Sequence, residues 1–154
     1  MIYLLIAAGV FLLDFFIKRH IDKTYDENLP HPRLGGRIII EKYYNRGAAF
    51  NLLAHFPRVM RAIHTCAIVA VGIAYYLTLR TSGQPLPKTG LSLLFGGGMS
   101  NLYDRCTKGH VVDYFHLGLG PKCLRRIVFN VSDFFVFFGA LLAAATADFG
   151  QNIP

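Results

Sequence analysis

Asp113 and Asp133 are carboxylates at the margins of long apolar runs, each with polar side chains nearby in sequence. A carboxylate in or near hydrocarbon costs roughly 2.5 to 3.5 kcal/mol on insertion scales, so such residues usually face a polar interior and have a function. Asn130 and Asp133 are three residues apart, and Asn101, Asp104 and Arg105 are spaced by three and four, which puts each group on one helical face. In an up-and-down helical topology these groups, together with Asn45 and Asp113, emerge at the same end of the molecule. If Asp113 and Asp133 approach within a few Å, like-charge repulsion in a low dielectric keeps a proton on one of them. The charged member can then take a proton from a water held between the two while the neutral member donates to a peptide carbonyl. That is amide hydrolysis without a covalent intermediate.

Other chemistries fit these residues less well. Helix capping accounts for Asn130 and Asp133 taken alone, and an i,i+4 ion pair accounts for Asp14 and Lys18. Ser100 and Ser132 lack a nearby base, and Cys66 lies amid apolar residues, so no nucleophile of the Ser–His or Cys–His kind stands out. His110, Asp113 and His116 are spaced by threes and could share a helical face, but there is no H-E-x-x-H. The remaining histidines, His20, His31, His55 and His64, are scattered, and their expected role is structural or at the surface. Neither a metal nor a cofactor is expected. A non-enzymatic reading stays open beside the peptidase: a small carrier or proton relay in which Asp14, Asp113 and Asp133 move charge.

These residues are held by a very apolar chain. Of its 154 residues 53% are hydrophobic, 14% aromatic and only 16% charged, against roughly 25% charged in ordinary globular domains. Residues 62–79 contain no Asp, Glu, Lys or Arg and are apolar all round rather than along one stripe, which favours lipid over a half-exposed soluble bundle. The sequence predicts an all-α membrane protein of one domain, residues 1–154, with four transmembrane helices at about 2–19, 60–80, 87–104 and 130–149. A small β-rich cradle is expected at about 33–53, where β-branched and aromatic residues follow a Pro30/Pro32 break. An interfacial helix at 55–61, after the first spanning helix, leads into the second. The first segment lacks a basic leader and a small-residue cleavage site, so it reads as a retained helix rather than a signal peptide.

The net charge of +7 suggests membrane lipid headgroups as partners rather than nucleic acid, since the basic residues form no stripe. Cys66, Cys106 and Cys123 form no C-x-x-C pair; at most one bridge, Cys106 to Cys123, is conceivable. With no Trp in the chain, Tyr43, Tyr44, Tyr103 and Tyr114 are candidate interfacial aromatics.

Five blocks carry a family resemblance: D-F-F-I-K at 14–18, N-R-G-A-A-F at 45–50, G-G-M-S-N-L-Y-D-R at 97–105, V-V-D-Y at 111–114 and F-N-V-S-D at 129–133. In this order and spacing the sequence resembles the bacterial lipoprotein signal peptidases, signal peptidase II. The resemblance implies an intramembrane aspartic endopeptidase that removes the signal peptide of diacylglyceryl-modified prolipoproteins just before the lipidated cysteine. It implies that Asp113 and Asp133 are the catalytic pair. Asn45, Gly47, Asn101, Asp104, Arg105 and Asn130 would surround pair and substrate, while Asp14 and Lys18 support the fold. Whether Asp104 acts only by orienting Arg105 stays open. The implied partners are the lipidated prolipoprotein and membrane lipids, and the implied state is a monomer. The chain departs from the family pattern at Phe15, where Gln is usual, at Ser100, where Gly is usual, and at Ser132, where Ala is usual.

Charge bias and resemblance disagree on orientation. Lys and Arg crowd the two connections that carry the site, which by the positive-inside rule would put it in the cytoplasm. The family places it at the outer face of the inner membrane, and the resemblance is followed here because catalytic and cradle charges distort the count.

Overall fold

The computed structural model describes residues 1–48, 52–121, 125 and 127–147. Four helices carry the fold: α1 (Ile2–Thr24), α2 (Pro57–Arg80), α3 (Pro85–Thr107) and α4 (Val131–Ala147). Three strands, β1 (His31–Arg33), β2 (Ile38–Asn45) and β3 (Val111–Leu117), form an antiparallel sheet in the order β1-β2-β3. The first helix runs five residues past the expected end at 19, and the third begins at Pro85, where proline suits the first helical turn. Pro57 likewise opens α2, so residues 57–61 are the first turn of that helix. This corrects the expectation of a separate interfacial helix: among the described residues none precedes α2.

Helix α3 is the axle of the molecule, packing against α1, α2 and α4. Three successive glycines make this possible. A Cβ on Gly96 would lie 2.5 Å from the Ala7 carbonyl oxygen of α1, and one on Gly97 would lie 2.8 Å from the Ser132 carbonyl oxygen of α4. A Cβ on Gly98 would collide with the Ile68 side chain of α2. Small residues at crossings let helix backbones approach closely where lipid supplies no hydrophobic drive for association.

The distribution of polarity is inverted relative to a soluble domain. Asp14, Lys18, Ser92, Asn101, Asp104, Asp113, Asn130 and Ser132 are buried, whereas Leu5, Phe16, Val69, Ile73, Leu77, Phe137 and Leu141 are more than half exposed. Of the helices described, α2 alone is long and apolar enough to cross a membrane by length and composition; α4 contributes a shorter apolar run, Val131–Ala145.

The sheet brings its own residues to the helix ends. Ile38–Ile40 and Val111–Val112 are β-branched and favour extended backbone. Two residues lie between Ile40 and Tyr43 on β2, but only one lies between their partners Phe115 and Asp113 on β3. This bulge adds local twist to the strand pair just before Asp113, a position where bulges commonly re-aim a side chain.

Candidate active site

Asp113 and Asp133 reach one cleft of about 650 Å³ from different elements, β3 and the first turn of α4. Two asparagines bridge them. Asn130 Nδ2 donates to Asp113 Oδ1 at 2.6 Å and to Asn101 Oδ1 at 3.1 Å, and Asn101 Nδ2 donates to Asp133 Oδ1 at 3.0 Å. Asn45 Nδ2, at the end of β2, donates to Asp113 Oδ2 at 2.9 Å. Asp113 is 2% exposed. Burial, and then the negative charge of Asp133, push its carboxyl up to about 7 despite these amide donors.

Asn130 and Asp133 also cap α4 reciprocally. The Asp133 backbone N–H donates to Asn130 Oδ1 at 3.0 Å, and the Asn130 backbone N–H donates to Asp133 Oδ2 at 2.9 Å. This is the geometry of a capping box with Asp in place of Glu. Capping and membership of the cleft are therefore simultaneous properties of the same two residues.

Lys18 is the cation beneath the site. It is 1% exposed, pairs with Asp14 at 2.7 Å and Asp104 at 3.4 Å, and donates to Asn101 Oδ1 at 2.6 Å. The expected Asp14–Lys18 pairing is thus present, within a network that reaches the cleft. Asp14 accepts further bonds from Ser100 Oγ at 2.6 Å and Tyr114 Oη at 3.3 Å, and Tyr114 Oη accepts from the Val131 backbone N–H at 2.9 Å. Asp14 thereby ties α1 to α3, β3 and the start of α4.

Several expectations need correction. Asp104 does not hold the Arg105 guanidinium: its carboxylate accepts from the Val112 backbone N–H at 3.2 Å and pairs with Lys18 and, at 3.3 Å, with Lys108. Arg105 reaches the carbonyls of Arg46 and Gly47, holding the end of the sheet beside the cleft. Residues 111–117 form a strand, so the helical face proposed for His110, Asp113 and His116 does not exist. His116 faces Glu41 and the Arg125 carbonyl, while His110 lies against Tyr44. Among the described residues no cluster of three or more metal-ligating side chains occurs. Tyr114 is buried, not interfacial, and Tyr44 donates to Asp22 at 2.7 Å. Ala49 and Phe50 of the second block, Asn51, and the Cys106–Cys123 pairing lie outside the described residues.

The departures from the family pattern are partly explained. Ser100 uses its hydroxyl on Asp14. Ser132 Oγ is buried without a partner among the described residues, and nothing in the structure explains it. Phe15 packs edge-on to Tyr103, with ring centroids 5.5 Å apart. Sequence reasoning missed the roles of Ser100 and Tyr114 and the placement of His64, which lines the cleft from α2.

A helical bundle turned apolar side outward, with a small sheet bringing one carboxylate to a cleft that another lines, is a membrane-protein architecture. Two solved structures, each described as a bacterial membrane enzyme, share it: TM-scores are 0.83 and 0.79, at 23% identity in both, over 99% and 98% of this chain and 91% and 94% of theirs. The chain belongs to the signal peptidase II family, whose profile matches residues 6–149. It is 34% identical over 142 residues to the lipoprotein signal peptidase of Caldicellulosiruptor bescii, covering 92% of this chain and 87% of that one. Its identity to the lipoprotein signal peptidase of Aquifex aeolicus is 33% over 144 residues, covering 92% and 82%.

Proposed function

We propose that this protein is an intramembrane aspartic endopeptidase that cuts diacylglyceryl-modified prolipoproteins just before the lipidated cysteine. The observation that carries the reading is the Asn101–Asn130 bridge, which holds Asp113 and Asp133 on one cleft. With Asp113 held protonated near neutrality, Asp133 takes a proton from an attacking water while Asp113 donates to the scissile carbonyl. Collapse of the tetrahedral intermediate returns a proton to the departing amine. Asn45, Asn101 and Asn130 fix the carboxylates, Arg105 steadies the Arg46–Gly47 segment, and Asp14 and Lys18 brace the helices.

The cleft wall opposite the sheet is apolar, with Ile63, Ala67, Val136, Phe137 and Ala140. A wall of this kind lets the acyl chains of a lipid-anchored substrate remain in the bilayer while the peptide reaches the carboxylates. In this reading the chain is one membrane-embedded domain, a monomer, with all four helices spanning the bacterial inner membrane and the site towards the outer face. The exposed apolar side chains on α1, α2 and α4 support the multi-pass arrangement. The carrier reading gains no support from the family to which the chain belongs. The test compares a diacylglyceryl precursor with its unlipidated twin. Cleavage of the lipidated form alone is expected, and equal cleavage of both, or of neither, would remove the proposal.

A further inference from the structure

The seam between α1 and α3 carries two hollows, one above the other, and neither shares a lining residue with the Asp113–Asp133 cleft. The lower one, about 440 Å³, is apolar, with Leu4, Ala7, Ala8 and Phe11 of α1 facing Phe95 and Met99 of α3. The upper one, about 340 Å³, lies at the end of the helices that holds the site, between Arg19 and Lys23 of α1 and Tyr103, Thr107 and Lys108. Aromatic rings join them. Phe11, in the lower hollow, stacks on Phe15, in the upper, with centroids 6.0 Å apart, and both rings meet Tyr103 edge-on. The rise from Arg19 back to Ala8 is about 17 Å at ~1.5 Å per residue, roughly half the ~30 Å hydrocarbon of a bilayer and so the depth that an acyl chain of one leaflet reaches.

Charge selects the head of the occupant. Asp22 and Asp104 also line the upper hollow, and Lys108 pairs with both, at 3.2 and 3.3 Å. Arg19 and Lys23, one helical turn apart, are exposed and form no ion pair among the described residues. Three cations against two carboxylates leave one positive charge over, which a single phosphodiester balances, and charged N–H donors are the ordinary partners of such a group. The diacylglyceryl group of a precursor carries no phosphate and lies, in the reading above, on the other cleft. We propose, resting on the membrane-spanning arrangement above, that the α1–α3 seam binds one anionic glycerophospholipid of the leaflet on the site side, its phosphate between Arg19 and Lys23 and one acyl chain passing Phe15 and Phe11 into the apolar hollow.

The experiment titrates the full-length protein in a neutral detergent with phosphatidylglycerol or phosphatidylcholine of the same chains and counts bound lipids by native mass spectrometry. One phosphatidylglycerol should be retained, about tenfold more tightly than phosphatidylcholine. Arg19→Gln with Lys23→Gln should erase that preference. Arg33→Gln with Arg37→Gln, which removes the same charge from exposed positions around the β1–β2 turn, should keep it. Dihexanoyl phosphatidylglycerol should bind about tenfold more weakly than the long-chain lipid, since it cannot fill the apolar hollow, and glycerol phosphate should not displace the lipid. Equal retention of the two long-chain lipids, or an equal loss in both double variants, would reveal bulk attraction to a basic surface and overturn the site. Displacement by glycerol phosphate would mark an anion site without a lipid chain and overturn it too. The comparisons made on the wild-type protein decide the matter even where a variant folds poorly. Because binding is read without cleavage, a negative result leaves the peptidase reading intact, and a protein that cleaves no precursor can still be scored for the lipid.

Discussion

Asn101 and Asn130 are hydrogen-bonded to each other at 3.1 Å, and each also donates to a different carboxylate, Asn101 to Asp133 and Asn130 to Asp113. Asn130 spends a single amide nitrogen on Asp113 and on Asn101, so a chain of two side-chain amides joins the carboxylates. The pair behaves as one titrating unit.

Asp113→Asn and Asp133→Asn should therefore each lower cleavage of a lipidated precursor by several orders of magnitude, and the double variant should be scarcely worse than either, as expected for residues acting as a unit. Asp133→Asn should in addition cost about 1 kcal/mol of stability, because it weakens the cap on α4. Variants at matched membrane levels, assayed for precursor conversion, decide the point; appreciable turnover by either single variant would refute the catalytic pair.

The pH dependence has a definite sign. Asp113 is raised from its ordinary 3.8 to about 7 by burial and by Asp133, so the protein loses the donor proton as pH rises through about 7. The rate constant kcat/KM should fall on the alkaline side of neutrality. The same shift means that Asp113 lowers stability as pH climbs from about 4 to about 7, since the folded chain holds a proton that the unfolded chain has released. A profile that stays flat to pH 9 would contradict the assignment of Asp113 as donor.

Lys18→Met should destabilise the protein by about 3 to 5 kcal/mol, because Asp14 would be left buried with its cation removed. Adding Asp14→Leu to Lys18→Met should recover part of the loss, since the uncompensated charge is then gone. Thermal unfolding in one detergent measures both variants, and a Lys18→Met cost under about 1 kcal/mol would show that the network is dispensable.

Gly97→Ala should cost about 1 to 3 kcal/mol, because the obstacle at 2.8 Å is the Ser132 backbone, which cannot rotate away. The shift falls next to Asp133, so activity should drop more than at Gly9, where a Cβ meets nothing within 4 Å. Comparable melting temperatures and rates for the two alanine variants would disprove this.

Chelators should leave cleavage unchanged, and His110→Ala and His116→Ala should retain activity, because His110, just before β3, lies against Tyr44 and His116, on β3, faces Glu41, so they share no centre. Loss of activity with EDTA, restored by a divalent ion, would revive the metal mechanism.

The sequence made Asp113 and Asp133 visible because carboxylates beside hydrocarbon are conspicuous, and the i,i+4 spacing of Asp14 and Lys18 made their pairing readable. What it could not show was reach across elements. Tyr114 touches Asp14 a hundred residues away in sequence, a contact set by how β3 lies on α1, not by any local period. Asp104 stands beside Arg105 in sequence, yet their side chains leave α3 for different partners, Lys18 and the Gly47 carbonyl. His64 looked like one scattered histidine because its place on the cleft follows from how α2 packs on α3, which no local spacing announces. The helical spacing of His110, Asp113 and His116 misled because the same intervals on a strand alternate between faces.

The glycine run of α3 also bears on biogenesis. As the chain leaves the ribosome, α1 and α2 are made before the helix on which both of them pack. Until Gly96 and Gly98 arrive, Ala7 and Ile68 lack the surface that fits them, and Asp14 and Lys18 have only each other across one helical turn. The third helix thus completes the packing: a nascent chain halted before it holds two helices whose α3-facing surfaces are unmated and an Asp14–Lys18 pair that lacks Ser100, Asn101 and Asp104.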